Sequence, residues 1–216
     1  MPNHTQTQLQ VVGPDSEVER FIAAIFAGPE DVVDFNKLVP IPEELEKTSA
    51  PTTILTQEEI DVKMAEFNAL PDDHWSKVGG VNFGVGITKE TSNKWKARYG
   101  ADNWYDWKCL RWGTKWGAYD ATEWVRVTNG DTLTAFISYQ TAWSPATAFF
   151  ITASQQFPTL SFTHSFADEG GGFLGYETIV NGKVTKEREY EWDSDDGITL
   201  RKELGVWYDD EDGDDE

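Results

Sequence analysis

One cysteine, Cys109, in 216 residues excludes an intrachain disulfide framework and a thiolate zinc cluster, and is read as a small residue packed among tryptophans. The three histidines, His4, His74 and His164, have no second ligand at i,i+4 spacing and no cysteine partner, so neither a metal nor a cofactor is expected. No apolar run approaches the roughly 18 residues a membrane span needs, and Met1-Pro2-Asn3-His4-Thr5-Gln6 lacks the charged and apolar regions of a signal peptide. The expectation is a cytoplasmic chain with no membrane partner. No Pro/Gly/Ser-rich linker interrupts it, which favours one domain over residues 1–207 followed by an acidic, disordered tail over 208–216. The glycine stretches Gly79 to Gly86 and Gly170-Gly171-Gly172 lack the Gly-Lys-Ser/Thr ending of a phosphate loop and read as turns or bulges.

Bases are also scarce, 18 Lys and Arg against 38 Asp and Glu, for a net charge of −20. The deficit is uneven. Residues 1–76 carry 15 acids and 4 bases, and residues 187–216 carry 14 acids and 3 bases, whereas residues 77–115 carry 3 acids and 8 bases. A basic island therefore sits in an acidic protein, a pattern that bears on partners rather than on fold.

Aromatic residues are plentiful, with ten tryptophans, so the chain can bury a sizeable core. Thr5 to Val12 alternates as a strand. Val18, Phe21, Ile22, Ile25 and Phe26 recur at helical spacing behind a cap at Asp15 or Ser16. Val32 to Pro51 reads as an ordered loop, and Gln57 to Leu70 as a helix capped by Thr56 with Ile60, Met64, and Phe67 or Leu70 on one face. Lys89 to Tyr99 and Asp102 to Arg111 read as short tryptophan-rich helices. Tyr119 to Thr128 and Thr132 to Thr141 form a hairpin about Asn129-Gly130-Asp131. A helix over Ala146 to Gln156, opened by Pro145, precedes a strand from Leu160 to Phe166 and a second hairpin about Asn181-Gly182. Residues 191–207 fit no period clearly. The fold class expected is α+β: a ferredoxin-like β-α-β-β-α-β antiparallel sheet, with a long helical insertion after the first helix (residues 29–118) and an extra C-terminal hairpin.

Several segments resemble the YubB-type ferredoxin-like family of phage and plasmid proteins. They are Met1-Pro2-Asn3, Phe35-Asn36-Lys37-Leu38-Val39-Pro40-Ile41-Pro42, Trp112-Gly113-Thr114-Lys115-Trp116, Ser144-Pro145, Gln156-Phe157-Pro158-Thr159-Leu160-Ser161-Phe162 and Glu169-Gly170-Gly171-Gly172-Phe173-Leu174-Gly175. The resemblance implies the ferredoxin-like fold and a mobile-element origin. It implies no activity.

In the basic island, Lys94, Lys96, Arg98, Lys108, Arg111 and Lys115 interleave with Trp95, Tyr99, Trp104, Tyr105, Trp107, Trp112 and Trp116. Cations beside aromatic faces are what single-stranded nucleic acid or a nucleotide uses. The same pattern fits a buried aromatic core rimmed by cations, which the helical spacing of Trp104, Trp107 and Lys108 favours. As a site, its residues are Lys108, Arg111, Trp112, Lys115 and Trp116. As a core, it buries Trp112 and Trp116. His164, four residues before Asp168, reads as a cross-sheet polar residue, and Glu187, Glu189, Glu191 and Asp193 as one acidic face of a strand. No nucleophile motif accompanies them, so the enzyme reading has least support. The favoured function is an acidic protein-interaction module for an unidentified host protein with a basic surface. The alternative is nucleic-acid or nucleotide binding through residues 94–116, which net charge opposes.

Overall fold

Strand β1 (His4–Pro14) forms where polar and apolar side chains alternate, and burial alternates with them, leaving Thr5, Thr7, Leu9 and Val11 fully buried. The structure is a computed structural model that describes residues 3–27, 32–74, 77, 85–122 and 124–206. Helix α1 (Asp15–Ile25) follows directly and buries Val18, Phe21, Ile22 and Ile25 along one stripe. Its N-cap is Pro14, with no side-chain cap bond. Asp15 and Ser16, expected as caps, lie inside the helix, where Asp15 and Glu17 complement the positive end of the helix dipole. Two short strands, β2 (Phe26–Ala27) and β3 (Val32–Val33), pair antiparallel ahead of a 3-10 turn at Phe35–Lys37.

Contacts divide the chain into two compact units, Met1–Val39 with Trp112–Glu216, and Pro40–Arg111. The second unit holds α2 (Glu43–Glu46), α3 (Gln57–Ala69), α4 (Lys89–Tyr99) and α5 (Trp104–Arg111). Thr56 and Glu59 close a capping box on α3, and Ile60, Met64, Phe67 and Leu70 are its half-buried stripe. Thr88 caps α4, which ends at Gly100 in the left-handed region. The helix expected from Asp102 begins at Trp104 instead, because Asn103 Oδ1 accepts the Asp106 amide and so occupies the capping position.

In the first unit the chain continues as β4 (Val125–Asn129), β5 (Thr132–Ala142), α6 (Thr147–Gln156), β6 (Ser161–Asp168), β7 (Leu174–Val180), β8 (Lys183–Glu189) and α7 (Asp195–Leu204). The sheet order is β4-β5-β1-β6-β7-β8, with every neighbouring pair antiparallel. The expected strand from Tyr119 is shorter than its apolar run. Tyr119 bridges Gln140, Asp120 takes a φ of 49°, and regular pairing starts only at Val125. The first hairpin turns on Gly130-Asp131 with Gly130 at φ 60°, the glycine-first type II′ pattern, and the second on Asn181-Gly182 with both residues at positive φ, the type I′ pattern. Pro145, expected at the first position of a helix, lies before the N-cap Ala146 of α6.

Helices α1 and α6 cover one face of the sheet. Between them and the sheet lies an aromatic core in which Phe35 stacks on Phe149 at 4.1 Å and Phe21 meets Phe157 and Phe162 edge-on. The opposite face is lined by Gln6, Gln8 and Gln10 of β1, Thr134, Phe136, Ser138 and Gln140 of β5, and Ser161, Thr163 and Ser165 of β6, none of them charged. At one end of that face α7 packs Leu204 on Ala167 and Leu174, with Tyr190, Trp192 and Leu200 around them.

Candidate functional site

The loop from Trp112 to Trp116 is built against the turn that leads into α6. Trp112 is 2% exposed; its Nε1 donates to the Val39 carbonyl at 2.9 Å and its ring meets Phe35 edge-on. Gly113 sits at φ 84°, and a side chain there would meet the Ala148 amide nitrogen at 3.2 Å and the Pro145 carbonyl at 3.3 Å, so any other residue is strained. Ser144 Oγ donates to the Gly113 carbonyl, and Thr114 Oγ1 donates to the Ala142 carbonyl at 3.1 Å. These bonds fix the backbone that leads into Lys115, and Thr114 Oγ1 also lies 3.2 Å from the Trp116 carbonyl beyond it.

Trp116 is 37% exposed, which corrects the expectation that it is core. The break is local: Trp112 and Thr114 are buried and Lys115 is half-buried, but Trp116, which continued alternation would turn inward, is exposed. Lys115 Nζ lies 4.5 Å from the centroid of the Trp116 ring and 4.5 Å from that of Trp143. Trp143 itself is 43% exposed and takes a φ of 73°, rare for a bulky residue. One cation held by two exposed indoles is therefore the local chemistry of this loop. Trp143 was not singled out from sequence, because the stretch between it and Lys115 is closed only by the sheet and by a left-handed backbone that no residue type announces.

Lys108 and Arg111 belong to the other compact unit. Lys108 Nζ lies 5.4 Å over Trp104 within α5, Arg111 is exposed at its end, and Trp107 is buried. In the same unit Asp102 is 2% exposed and accepts from Ser92 Oγ at 2.6 Å and Thr52 Oγ1 at 2.8 Å, with Lys96 Nζ at 3.0 Å. Burial works to raise its pKa, but those hydrogen bonds and the lysine charge outweigh it and hold the carboxyl at about 2. Asp102 is thus a fixed anion joining α4 to the loop at Thr52, and it borders a cavity of about 210 Å³ lined also by Thr48, Met64, Ile87 and Trp95.

His164 is fully buried, its Nδ1 3.4 Å from Glu177 Oε1 directly across β6 and β7. Glu177 also accepts from Thr147 Oγ1 at 2.6 Å. Burial pushes the Glu177 pKa up, but the adjacent His164 ring, together with the Thr147 hydrogen bond, brings it below the usual carboxylate value. The Phe150 ring covers the imidazole, its centroid 4.1 Å from that of His164. Among the described residues no group of His, Cys, Asp and Glu is arranged to hold a metal ion, and no helix is long and apolar enough to cross a membrane.

The exposed acids gather elsewhere. Between β8 and the start of α7, Glu187, Glu189, Glu191, Asp193, Asp195 and Asp196 are all exposed. Arg188 pairs with Asp196 at 2.8 Å and Arg201 approaches Asp193 at 4.0 Å. The expected tail over 208–216, Met1-Pro2 and most of the Gly79 to Gly86 stretch lie outside the described residues.

A family model described as the ferredoxin-like domain in Api92-like protein matches residues 111–212. That stretch supplies β4 to β8, α6 and α7, and with the six-stranded antiparallel sheet it supports an α+β, ferredoxin-like domain. The chain is also similar to the crystal structure of a protein api92 from Yersinia pseudotuberculosis, at 9% identity and a TM-score of 0.40, over 88% of this chain and 98% of that one. No curated protein matches the chain.

Proposed function

We propose that the protein acts by binding rather than by catalysis, as an acidic protein-interaction module for a partner with a basic surface. The observation that carries this reading is the run of six exposed carboxylates from Glu187 to Asp196, which keeps Glu187, Glu189, Glu191 and Asp195 without an ion pair among the described residues. Fields of one sign speed encounter with an oppositely charged partner and are screened beyond about 10 Å at 0.1 M salt. The finer account of the chain belongs to the same proposal. The β-α-β-β-α-β order is carried by β1, α1, β4, β5, α6 and β6, residues 29–118 form an insertion within a single domain over 1–207, and β7 with β8 is the added hairpin. On this account the protein is a YubB-type accessory protein of phage or plasmid origin, cytoplasmic, directed against a host factor.

A second reading has an observation of its own. The two exposed indoles of Trp116 and Trp143 about Lys115 offer stacking faces beside a cation, which suits a nucleotide or single-stranded nucleic acid. The experiment that separates the two is capture of partners from host lysate with and without nuclease, using the wild-type chain and a variant with Glu187→Gln, Glu189→Gln, Glu191→Gln and Asp193→Asn. The interaction-module reading expects nuclease-resistant capture that the variant loses. Capture abolished by nuclease, with oligonucleotide binding that Lys115→Glu removes, transfers the function to the second reading.

A further inference from the structure

The two edges of the main sheet are not alike. Strand β8 is guarded as exposed edges usually are: it carries Lys183, Lys186, Glu187, Arg188 and Glu189, and its register slips at Thr178/Ile179. Strand β4 has a single charge, Arg126, and that guanidinium is turned onto α1, with Nη2 2.8 Å from Glu19 and 3.6 Å from Asp15. All five β4 residues are exposed, and Val125 and Val127 keep 61% and 53% of their surface open. Their register partners, Phe136 and Thr134, place both valines on the face of the sheet opposite α1 and α6. In a hairpin closed by a two-residue turn, hydrogen-bonded and free pairs alternate from the closing pair Asn129 and Thr132, which leaves the backbone groups of Arg126 and Thr128 aimed away from β5.

We propose that the free edge of β4 accepts, as an added strand, an extended segment of another protein that alternates apolar residues with lysine or arginine. Backbone groups at Arg126 and Thr128 supply the ladder, and the apolar residues lie beside Val125 and Val127. The basic residues fall on the opposite face, over a shallow recess lined by Asp15, Glu19 and Asp131 with Arg126 as its sole cation. That excess of carboxylate selects for positive charge. A second copy of this chain is a poorer occupant, since both molecules then carry a net charge of −20. The inference keeps the basic partner of the proposed function but uses a different surface, so the two fail separately.

The test is titration of the full chain with a short capped peptide alternating valine with lysine, alongside its valine and glutamate counterpart, with backbone amide exchange as a second readout. The lysine peptide binds, the glutamate peptide does not, and the amides of Arg126 and Thr128 become protected. Thr128→Pro removes an outward N–H without touching the ladder to β5, and Val127→Lys places a charge on the open edge; each weakens peptide binding by about tenfold or more. The variant neutralised at residues 187–193 binds the peptide as the wild type does. Absence of peptide binding, binding unchanged in both β4 variants, loss of binding in the 187–193 variant, or a dimer of the chain that both β4 variants abolish would each overturn the inference.

Discussion

Truncating Trp112 and truncating Trp116 should have different consequences, although the two residues lie four positions apart in one loop. Trp112 is 2% exposed, packs edge-on against Phe35, and satisfies the Val39 carbonyl through its indole N–H. Its loss creates a cavity and orphans a buried acceptor, at a cost of about 3 to 5 kcal/mol for the ring and roughly 1 kcal/mol more for the acceptor. For a chain of this size each kcal/mol moves the melting temperature by about 2 to 4 °C, so Trp112→Ala should lower it by roughly 10 °C or more. Trp116 is 37% exposed and its named contact is the Lys115 ammonium. An exposed cation–aromatic contact contributes about 0.5 to 1 kcal/mol, so Trp116→Ala should move the melting temperature by no more than about 4 °C. Differential scanning calorimetry on both variants measures this directly. Equal losses, or a Trp112→Ala protein as stable as the wild type, would refute the assignment of one ring to the core and the other to the surface.

Three further outcomes are expected. Gly113→Ala should destabilise the loop by more than an ordinary exposed substitution, since it combines a φ of 84° with backbone at 3.2 Å, and a calorimetric shift no larger than that of Gly130→Ala, where φ is 60° but no atom lies within 4 Å, would contradict the close-packing argument. Asp102 is held at about 2 against an ordinary 3.8, which amounts to about 2 kcal/mol of stability. Because the folded value is the lower one, that stability is complete above about pH 5 and is lost as the pH falls toward 2, so Asp102→Asn should flatten the acid limb of a urea-denaturation series, and an unchanged slope would count against it. Glu177, also lowered in the folded state, should act in the same direction, with Glu177→Gln flattening the loss of stability on acidification.

Much of the sheet was legible because one face of β1, β5, β6 and β7 is buried. The two-residue periods of β1, β5 and β6 are the direct imprint of that burial, and Asn129-Gly130 and Asn181-Gly182 mark turns that positive φ demands. The α7 helix was missed although both of its punctuation marks are present, Ser194 as a cap whose Oγ accepts the Gly197 amide and Gly205 in the left-handed region. Its buried residues are only Gly197 and Leu204, too few to impose a helical apolar period. The strand expected from Tyr119 failed at Asp120 for the opposite reason, a local backbone turn inside an apolar run. Within the loop, Trp112 was correctly assigned to the core and Trp116 was not, because a shared residue type says nothing about which way a tight glycine turn will aim it. The role of Trp143 was illegible in principle, since tertiary structure alone brings it to Lys115.

In the proposed function, exposed acids on β8 and the start of α7 make the contact with a basic partner. The most direct test of that contact is the affinity of the captured partner for the wild-type chain and for the Glu187→Gln, Glu189→Gln, Glu191→Gln, Asp193→Asn variant, each measured at low and high salt. The account predicts wild-type binding that weakens as salt rises, and a variant that binds about tenfold more weakly at low salt with a much flatter salt dependence. Equal affinity and equal salt dependence in the two proteins would contradict it.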